Sequence, residues 1–219
     1  MSAYYKVDIR NLGFRELWRI SPGRGFLVGC AAKILRFPLA MKTRVPSQKE
    51  MTVLEPGQVP EEIQKGWATQ FSDFQRLGFR EAFAYTIPSV SPGMRGFSQT
   101  FLNPDGTVAG QIMVVEVHRD AFHRMEVVWQ CLSAFEDGTI SGTTSQRRRM
   151  DSPPEFEGLN LPGSRVETLV SRHRERILSN AHGSPIPLFP ESLKALLIRI
   201  ADRAAQFHAA RGVYVPEGD

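Results

Sequence analysis

Between Pro60 and Gly78 the apolar residues Ile63, Trp67, Phe71, Phe74 and Leu77 recur at i, i+4, i+8, i+11 and i+14. This is the single stripe of a helix lying on a core. Pro60 suits the first helical position, Glu61 and Glu62 complement the positive helix end, and Gly78 can supply a left-handed stop. Strand-like segments follow at about 82–88, 95–103, 107–118, 125–135 and 139–148. Asn103-Pro104-Asp105-Gly106 and Glu136-Asp137-Gly138 are hairpin chemistry, because Asp-Gly tolerates the positive φ of tight reversals. Ile112 to Val117 is apolar on both faces apart from Glu116, which predicts a strand in mid-sheet.

After the strands comes a Pro/Gly loop, then Ser164 and Glu167 at the spacing of a capping box. They open a predicted helix with Val166, Leu169, Val170, His173 and Ile177 on one face, and Arg165, Arg172, Arg174, Glu175 and Arg176 on the other. A last helix is predicted over about 190–211, lined by Leu193, Leu196, Leu197, Ile200, Ala204 and Phe207. One run of strands with helices at both ends points to an α+β fold: an antiparallel meander of four or five strands packed by helices. The turns D-G-T-V-A-G-Q (105–111) and D-G-T-I-S-G-T (137–143) match with a 32-residue offset. They read as a duplicated hairpin or as two independent choices of good turn residues.

Residues 1–59 read as a basic, partly helical arm and 60–219 as the folded domain. Gly and Pro punctuate the arm, and only Phe26 to Phe37 is long enough for a helix, with Gly29, Lys33, Arg36 and Ala40 sharing one side. The charge is concentrated in the same place. Of the 219 residues, 27 are Lys or Arg and 23 Asp or Glu, yet the first fifty alone carry +7 and the remainder −3. Such asymmetry marks a surface for something anionic.

Composition narrows the class further. A 42% hydrophobic, 23% charged chain is neither disordered nor fibrous, and no apolar run reaches the roughly 18–20 residues of a membrane-spanning helix. Cys30 and Cys131 form no C-x-x-C pair, which favours a reducing compartment, and the amino terminus lacks the order of a secretory signal. The expected location is cytoplasmic, peripheral at the inner membrane face.

Phe74-Gln75-Arg76-Leu77-Gly78-Phe79, Glu136-Asp137-Gly138-Thr139, Thr143-Thr144, the Pro-rich loop and the helix around His173 together resemble a family of uncharacterised bacterial proteins. The family pattern is F-x-x-L-G-F, strands, D-G-T with a Thr pair, then L-x-x-x-H, and the resemblance covers about residues 70–178. It implies those domain limits and, as members often carry one, an apolar or membrane-anchoring N-terminal segment. It implies no activity.

The functional candidates are few. Phe26, Leu27, Lys33, Ile34, Arg36, Phe37, Lys42 and Arg44 could form an amphipathic element in a lipid headgroup layer or against a protein partner, through residues 24–46. Four cations at about 1 kcal/mol each give weak, salt-sensitive attachment; the plainer reading is a helix packed on its own domain with snorkelling cations. Arg147, Arg148, Arg149, Arg172 and Arg176 are a candidate anion site, or a solvated rim neutralised by Asp151, Glu155 and Glu175. His118 and His123 with Asp120 form H-x-D-x-x-H, explained more simply as turn residues, and His173 reads as a hydrogen-bonded core histidine. Gln99, Thr100, Gln111, Gln130, Thr143, Thr144 and Gln146 face water by default, or line a ligand cup. No catalytic motif, metal set or cofactor fingerprint is present, and no nucleic-acid-binding motif. The leading expectation is a non-enzymatic accessory protein held at an anionic surface or partner; a small-molecule-binding α+β cup is second and an enzyme third.

Overall fold

The computed structural model describes residues 4–35, 40–46, 51–87, 94–119 and 122–216, without the side chains of 4, 40–46, 118, 119, 122, 123 and 216. The chain is α+β and divides into two compact units.

The larger unit comprises residues 51–147 and 154–197. Its sheet has seven strands in sequence order: β3 (Thr52–Leu54), β4 (Arg80–Ile87), β5 (Met94–Leu102), β6 (Ala109–Arg119), β7 (Phe122–Ala134), β8 (Ile140–Thr144) and β9 (Phe156–Asn160). All neighbours are antiparallel except β8 and β9, and the sheet does not close. The five strand-like segments of the sequence are all strands, β4 to β8. The short edges β3 and β9 add to them, each too brief to show a period of two. β6 is the central strand, and its one charged core residue, Glu116, lies opposite Arg95, whose Nε and Nη2 donate to Glu116 Oε2 at 2.9 and 2.6 Å.

α3 (Glu61–Arg76) and α4 (Val166–Ser179) pack on one face of this sheet. Ile63, Trp67 and Phe74 of the predicted stripe are buried, with Phe71 and Leu77 packed against them. Phe74 stacks on Phe101 (5.0 Å, 16°) and meets Phe79 edge-on (5.3 Å), in a core completed by Ile112, Val114, Cys131 and Leu169. The capping box is not formed. Arg165 occupies the cap position, Ser164 Oγ is buried without a partner among the described residues, and Glu167 binds Arg76 instead. A long-range guanidinium holds the carboxylate that the box would have turned back to a backbone N–H at the helix start.

The two Asp-Gly turns share their chemistry. Asp105 Oδ1 accepts from Thr107 N at 3.1 Å and Asp137 Oδ1 from Thr139 N at 2.9 Å, and the glycines hold φ of 72° and 88°. Their surroundings differ: a Cβ on Gly106 would stand 2.6 Å from Leu188 O, whereas one on Gly138 would meet open space. Gly138→Ala is therefore expected to cost about 1 kcal/mol, from the left-handed backbone alone. Gly106→Ala should cost clearly more, because Leu188 N also donates to Gly106 O at 2.8 Å and holds the obstacle in place. Urea midpoints of the two variants check this; equal shifts would contradict it.

The smaller unit comprises residues 1–50, 148–153 and 198–219. Residues 1–50 of the segment read as an arm belong to this unit and 51–59 to the larger one, while 148–153 and 198–219 of the expected domain fall here. β1 (Tyr4–Asp8) lies between β2 (Ala40–Pro46) and β10 (Tyr214–Pro216), all antiparallel. A 3-10 turn (Ile9–Asn11), α1 (Phe14–Ile20) and α2 (Arg24–Leu35) complete this part, together with the C-terminal half of α5 (Pro190–Ala210). Val7, Leu12, Leu17 and Val213 form its core, with Ile9, Ile20, Phe26, Met150 and Tyr214 packed around them. Three short strands far apart in sequence carry no periodic signal, which is why the sheet was invisible until residues 4–8, 40–46 and 214–216 were brought together.

Candidate functional site

The feature of the smaller unit that its own core does not explain is the outer face of α1 and α2. Within α2, Gly29 and Ala32 turn inward, and a Cβ on Gly29 would come within 3.3 Å of Leu17 Cδ2, so small residues let the two helices approach. Leu27, Ala31 and Ile34 then fall on one outward stripe, and Val28 and Leu35 on the adjacent one. Leu27 is 66% exposed, Ile34 71%, Leu35 64% and Val28 59%. Phe14 and Trp18, one turn apart on α1, are half exposed beside them: Trp18 rests edge-on against Phe26 at 5.2 Å, and Lys33 Nζ lies 5.6 Å from the Phe14 ring centre. The exposed Arg15 and Arg24 border the patch.

This arrangement reverses the predicted amphipathicity. The side bearing Lys33 faces the chain, not water: its ammonium donates to Arg10 O at 2.6 Å and Leu12 O at 2.9 Å, closing the end of the 3-10 turn. A cation spent on two backbone carbonyls is not available to a headgroup. Phe26 is likewise corrected from contact residue to internal support, being partly buried against the Val7–Leu17 core. Leu27 and Ile34 stay outward, as the lipid-facing reading requires. Arg36 and Phe37 lie outside the described residues; Lys42 and Arg44 lie on β2, where Arg44 is opposite Lys6, and their side chains are not described. Sequence reading missed Phe14 and Trp18, although their i, i+4 spacing was a signal.

Beneath this surface α1 is anchored by a buried ion pair. Glu16 is fully buried and receives Arg211 Nη1 at 3.0 Å and Nη2 at 2.5 Å, the Asp151 amide at 2.8 Å and the Gly13 amide at 2.7 Å. Burial alone would raise its pKa, but the Arg211 fork and the two amides outweigh it and bring the carboxyl down to about 2. Asp151 also accepts from Arg19 Nη2 at 3.1 Å, so the 148–153 segment is held at two points.

The remaining candidates resolve into structural roles. His173 is fully buried with both ring nitrogens engaged, Nε2 3.1 Å from Ser133 Oγ and Nδ1 3.0 Å from Thr143 Oγ1. Ser133 donates its own proton to Thr107 O and Thr143 receives Arg176, so the consistent assignment is a neutral ring donating through Nε2 and accepting at Nδ1. Burial, reinforced by Arg176, brings its pKa down to about 3. It ties α4 to β7 and β8 and has no free edge for proton transfer.

Arg176 donates to Gly142 O, Thr143 Oγ1 and Glu157 O, and Arg172 pairs with Glu175 at 2.8 Å. Arg147 closes one stretch of the larger unit, while Arg148 and Arg149 open the 148–153 stretch of the smaller one, where Arg148 pairs with Asp151 at 3.4 Å. His118 and His123 are register partners across β6 and β7, with Asp120 outside the described residues. Among the described residues no group of three or more metal-ligating side chains converges. His182 is one of two histidines the sequence did not single out: Glu157 Oε1 takes its Nε2 at 3.0 Å and Asp137 Oδ2 its Nδ1 at 2.7 Å, an arrangement that raises its pKa and pins the 180–183 loop to the sheet.

Four of the seven neutral polar residues do not face water, contrary to expectation, while Gln130, Thr144 and Gln146 are partly exposed. Gln99, Thr100, Gln111 and Thr143 are buried. Gln130 Nε2 donates to Gln111 Oε1 at 2.5 Å, and Gln111 Nε2 donates to the buried Tyr85 hydroxyl, forming a row across three strands on the sheet face opposite α3 and α4. Their interior partners, unreadable from sequence, make burial affordable. Of the seven, Gln99 borders a groove beside α3.

Comparison with protein-family models, curated proteins and solved structures found no match.

Proposed function

We propose that this protein is an accessory protein that attaches peripherally to an anionic lipid surface through α1 and α2. The observation that carries the reading is the outward apolar patch of Phe14, Trp18, Leu27, Val28, Ile34 and Leu35, bordered by Arg15 and Arg24. Charge supports a lipid occupant. Residues 1–50 carry +7, 148–153 add +1 and 198–219 are neutral, so the unit bearing the patch holds +8 and the other −4. A half-exposed tryptophan beside aliphatic side chains and arginines matches the layered polarity of a headgroup region.

The magnitudes suit reversible attachment. Completing the burial of four aliphatic side chains already a third covered is worth roughly 1 kcal/mol each. Arg15 and Arg24 contribute about 1 kcal/mol apiece near an anionic bilayer. Set against an association cost of at least about 4 kcal/mol, this leaves weak, salt-sensitive binding. No described helix is long and apolar enough to cross a membrane.

Co-sedimentation of the whole chain with vesicles of phosphatidylcholine mixed with phosphatidylglycerol tests the reading. The intact protein is expected to bind these and not pure phosphatidylcholine, with affinity falling as salt rises. Leu27→Glu combined with Ile34→Glu should weaken binding about tenfold or more without lowering Tm, both side chains being exposed. Equal sedimentation of the double variant, or salt-independent binding to neutral vesicles, would refute it.

A further inference from the structure

A groove of 860 Å³ opens in the larger unit between α3 and the strands β3 and β4. Trp67, Ala68 and Phe71 of α3 make one wall, and Leu54 to Val59, the turn leaving β3, make the other. The size falls within the range of small-molecule sites, and the lining follows their usual pattern, an apolar body with few polar groups. Its polar groups share one preference. Gln99 is only 6% exposed and borders the groove; its Nε2 donates to Thr100 O at 3.2 Å, while its Oε1 accepts from no described residue. That oxygen is not among the buried polar atoms left without a partner, so a ligand donor there would take the place of water in the groove. Around the groove stand the carboxylates of Glu55, Glu61 and Glu81 against a single ammonium, Lys65, already paired with Glu61 at 2.6 Å. The rim is therefore net negative, with aromatic rings below it that favour a cation.

We propose that this groove binds a small molecule with an apolar body and a protonated amine. The body covers Trp67 and Phe71, the ammonium donates to Gln99 Oε1, and the Glu55 and Glu81 carboxylates supply the opposing charge. An anionic head of the same size would meet two carboxylates and an acceptor, and is excluded by the same groups that admit the amine. The site lies in the larger unit and does not depend on the attachment face.

The experiment titrates the full chain calorimetrically with three probes sharing one body: 4-phenylbutylamine, 4-phenylbutanol and 4-phenylbutyrate. The amine is expected to bind saturably and at least about tenfold more tightly than the carboxylate, with the alcohol between. Ala68→Trp, at an exposed helix position facing the groove, should fill it and abolish binding while Tm is kept. Gln99→Leu should weaken the amine about tenfold. The Leu27→Glu, Ile34→Glu protein should bind the amine unchanged, which separates failure here from failure of the lipid reading. Carboxylate binding as tight as that of the amine, no saturable binding of the amine, or undiminished binding to Ala68→Trp would overturn the proposal.

Discussion

Gly110→Ala is expected to destabilise the larger unit by about 3 kcal/mol, although alanine is ordinarily the better strand residue. Gly110 lies on β6 opposite Phe101 and beneath α3, where an added Cβ would stand 2.5, 2.8 and 3.1 Å from three atoms of the Phe74 ring. The ring has nowhere to go: it is fully buried, stacked on Phe101 and met edge-on by Phe79. Relief requires α3 to lift from the sheet or Phe74 to leave its rotamer, and both forfeit packing around Ile63, Trp67 and Ile112. Gly66 is a useful contrast, since its clash is with Met125 Sδ, on a flexible side chain. Urea unfolding reads the effect as a lower midpoint at unchanged slope; a loss under about 0.5 kcal/mol would show that helix and sheet are less closely spaced than a 2.5 Å approach to the Phe74 ring requires.

Arg211→Met should be comparably damaging to the smaller unit and should also change how its stability responds to acid. In the native protein Glu16 titrates near 2 when folded against 4.5 as a free side chain. A depressed folded pKa means that its contribution is present above 4.5 and is lost as pH falls toward 2, and the gap is worth at most about 3 kcal/mol. His208 acts in the same sense. It is nearly buried against Phe207 and Tyr214, and burial followed by repulsion from Arg211 lowers its pKa, so stability falls as the ring is forced to charge below its ordinary value. Without the guanidinium, Glu16 keeps the amides of Gly13 and Asp151 but loses its counter-ion, leaving a buried charge at a cost of about 3 kcal/mol. The variant is expected to melt lower at pH 7, and its disadvantage should shrink on acidification because protonation now relieves the uncompensated carboxylate. Thermal melts of both proteins between pH 7 and 3 check this. A constant difference across the range would mean that Glu16 and Arg211 are not coupled as their geometry indicates.

Both residues bear on what could be read in advance. Glu16 and Arg211 are 195 positions apart, and nothing in either neighbourhood marks them as partners. Gly110 sits in a turn motif it shares with Gly142, whose added Cβ would meet nothing nearer than Leu132 Cδ2 at 3.4 Å. Its packing role is therefore invisible in the motif. The basic first fifty residues and the apolar run from Phe26 were legible, and so was the interest of Leu27 and Ile34. Which side of α2 faced outward was not, because the helix is apolar nearly all round and its orientation was settled by Gly29 against Leu17 and by Lys33 reaching two carbonyls.

The sequence by itself determined most of the larger unit's elements, the short edge strands β3 and β9 excepted. The stripe from Ile63 to Leu77, the Asp-Gly turns and the two-sided apolar run at Ile112 are local patterns whose periods equal those of helix and strand, so local physics is enough to declare them. Only the tertiary structure decided what depends on partners far apart along the chain. It brought residues 4–8, 40–46 and 214–216 into one sheet, sank Gln99, Thr100, Gln111 and Thr143 into the interior, and left Leu27, Ile34 and Trp18 in contact with solvent. Burial of a polar group is tolerable only where its hydrogen-bond partner arrives, and exposure of an apolar one is fixed by what fails to cover it. Neither is encoded within reach of the residue concerned.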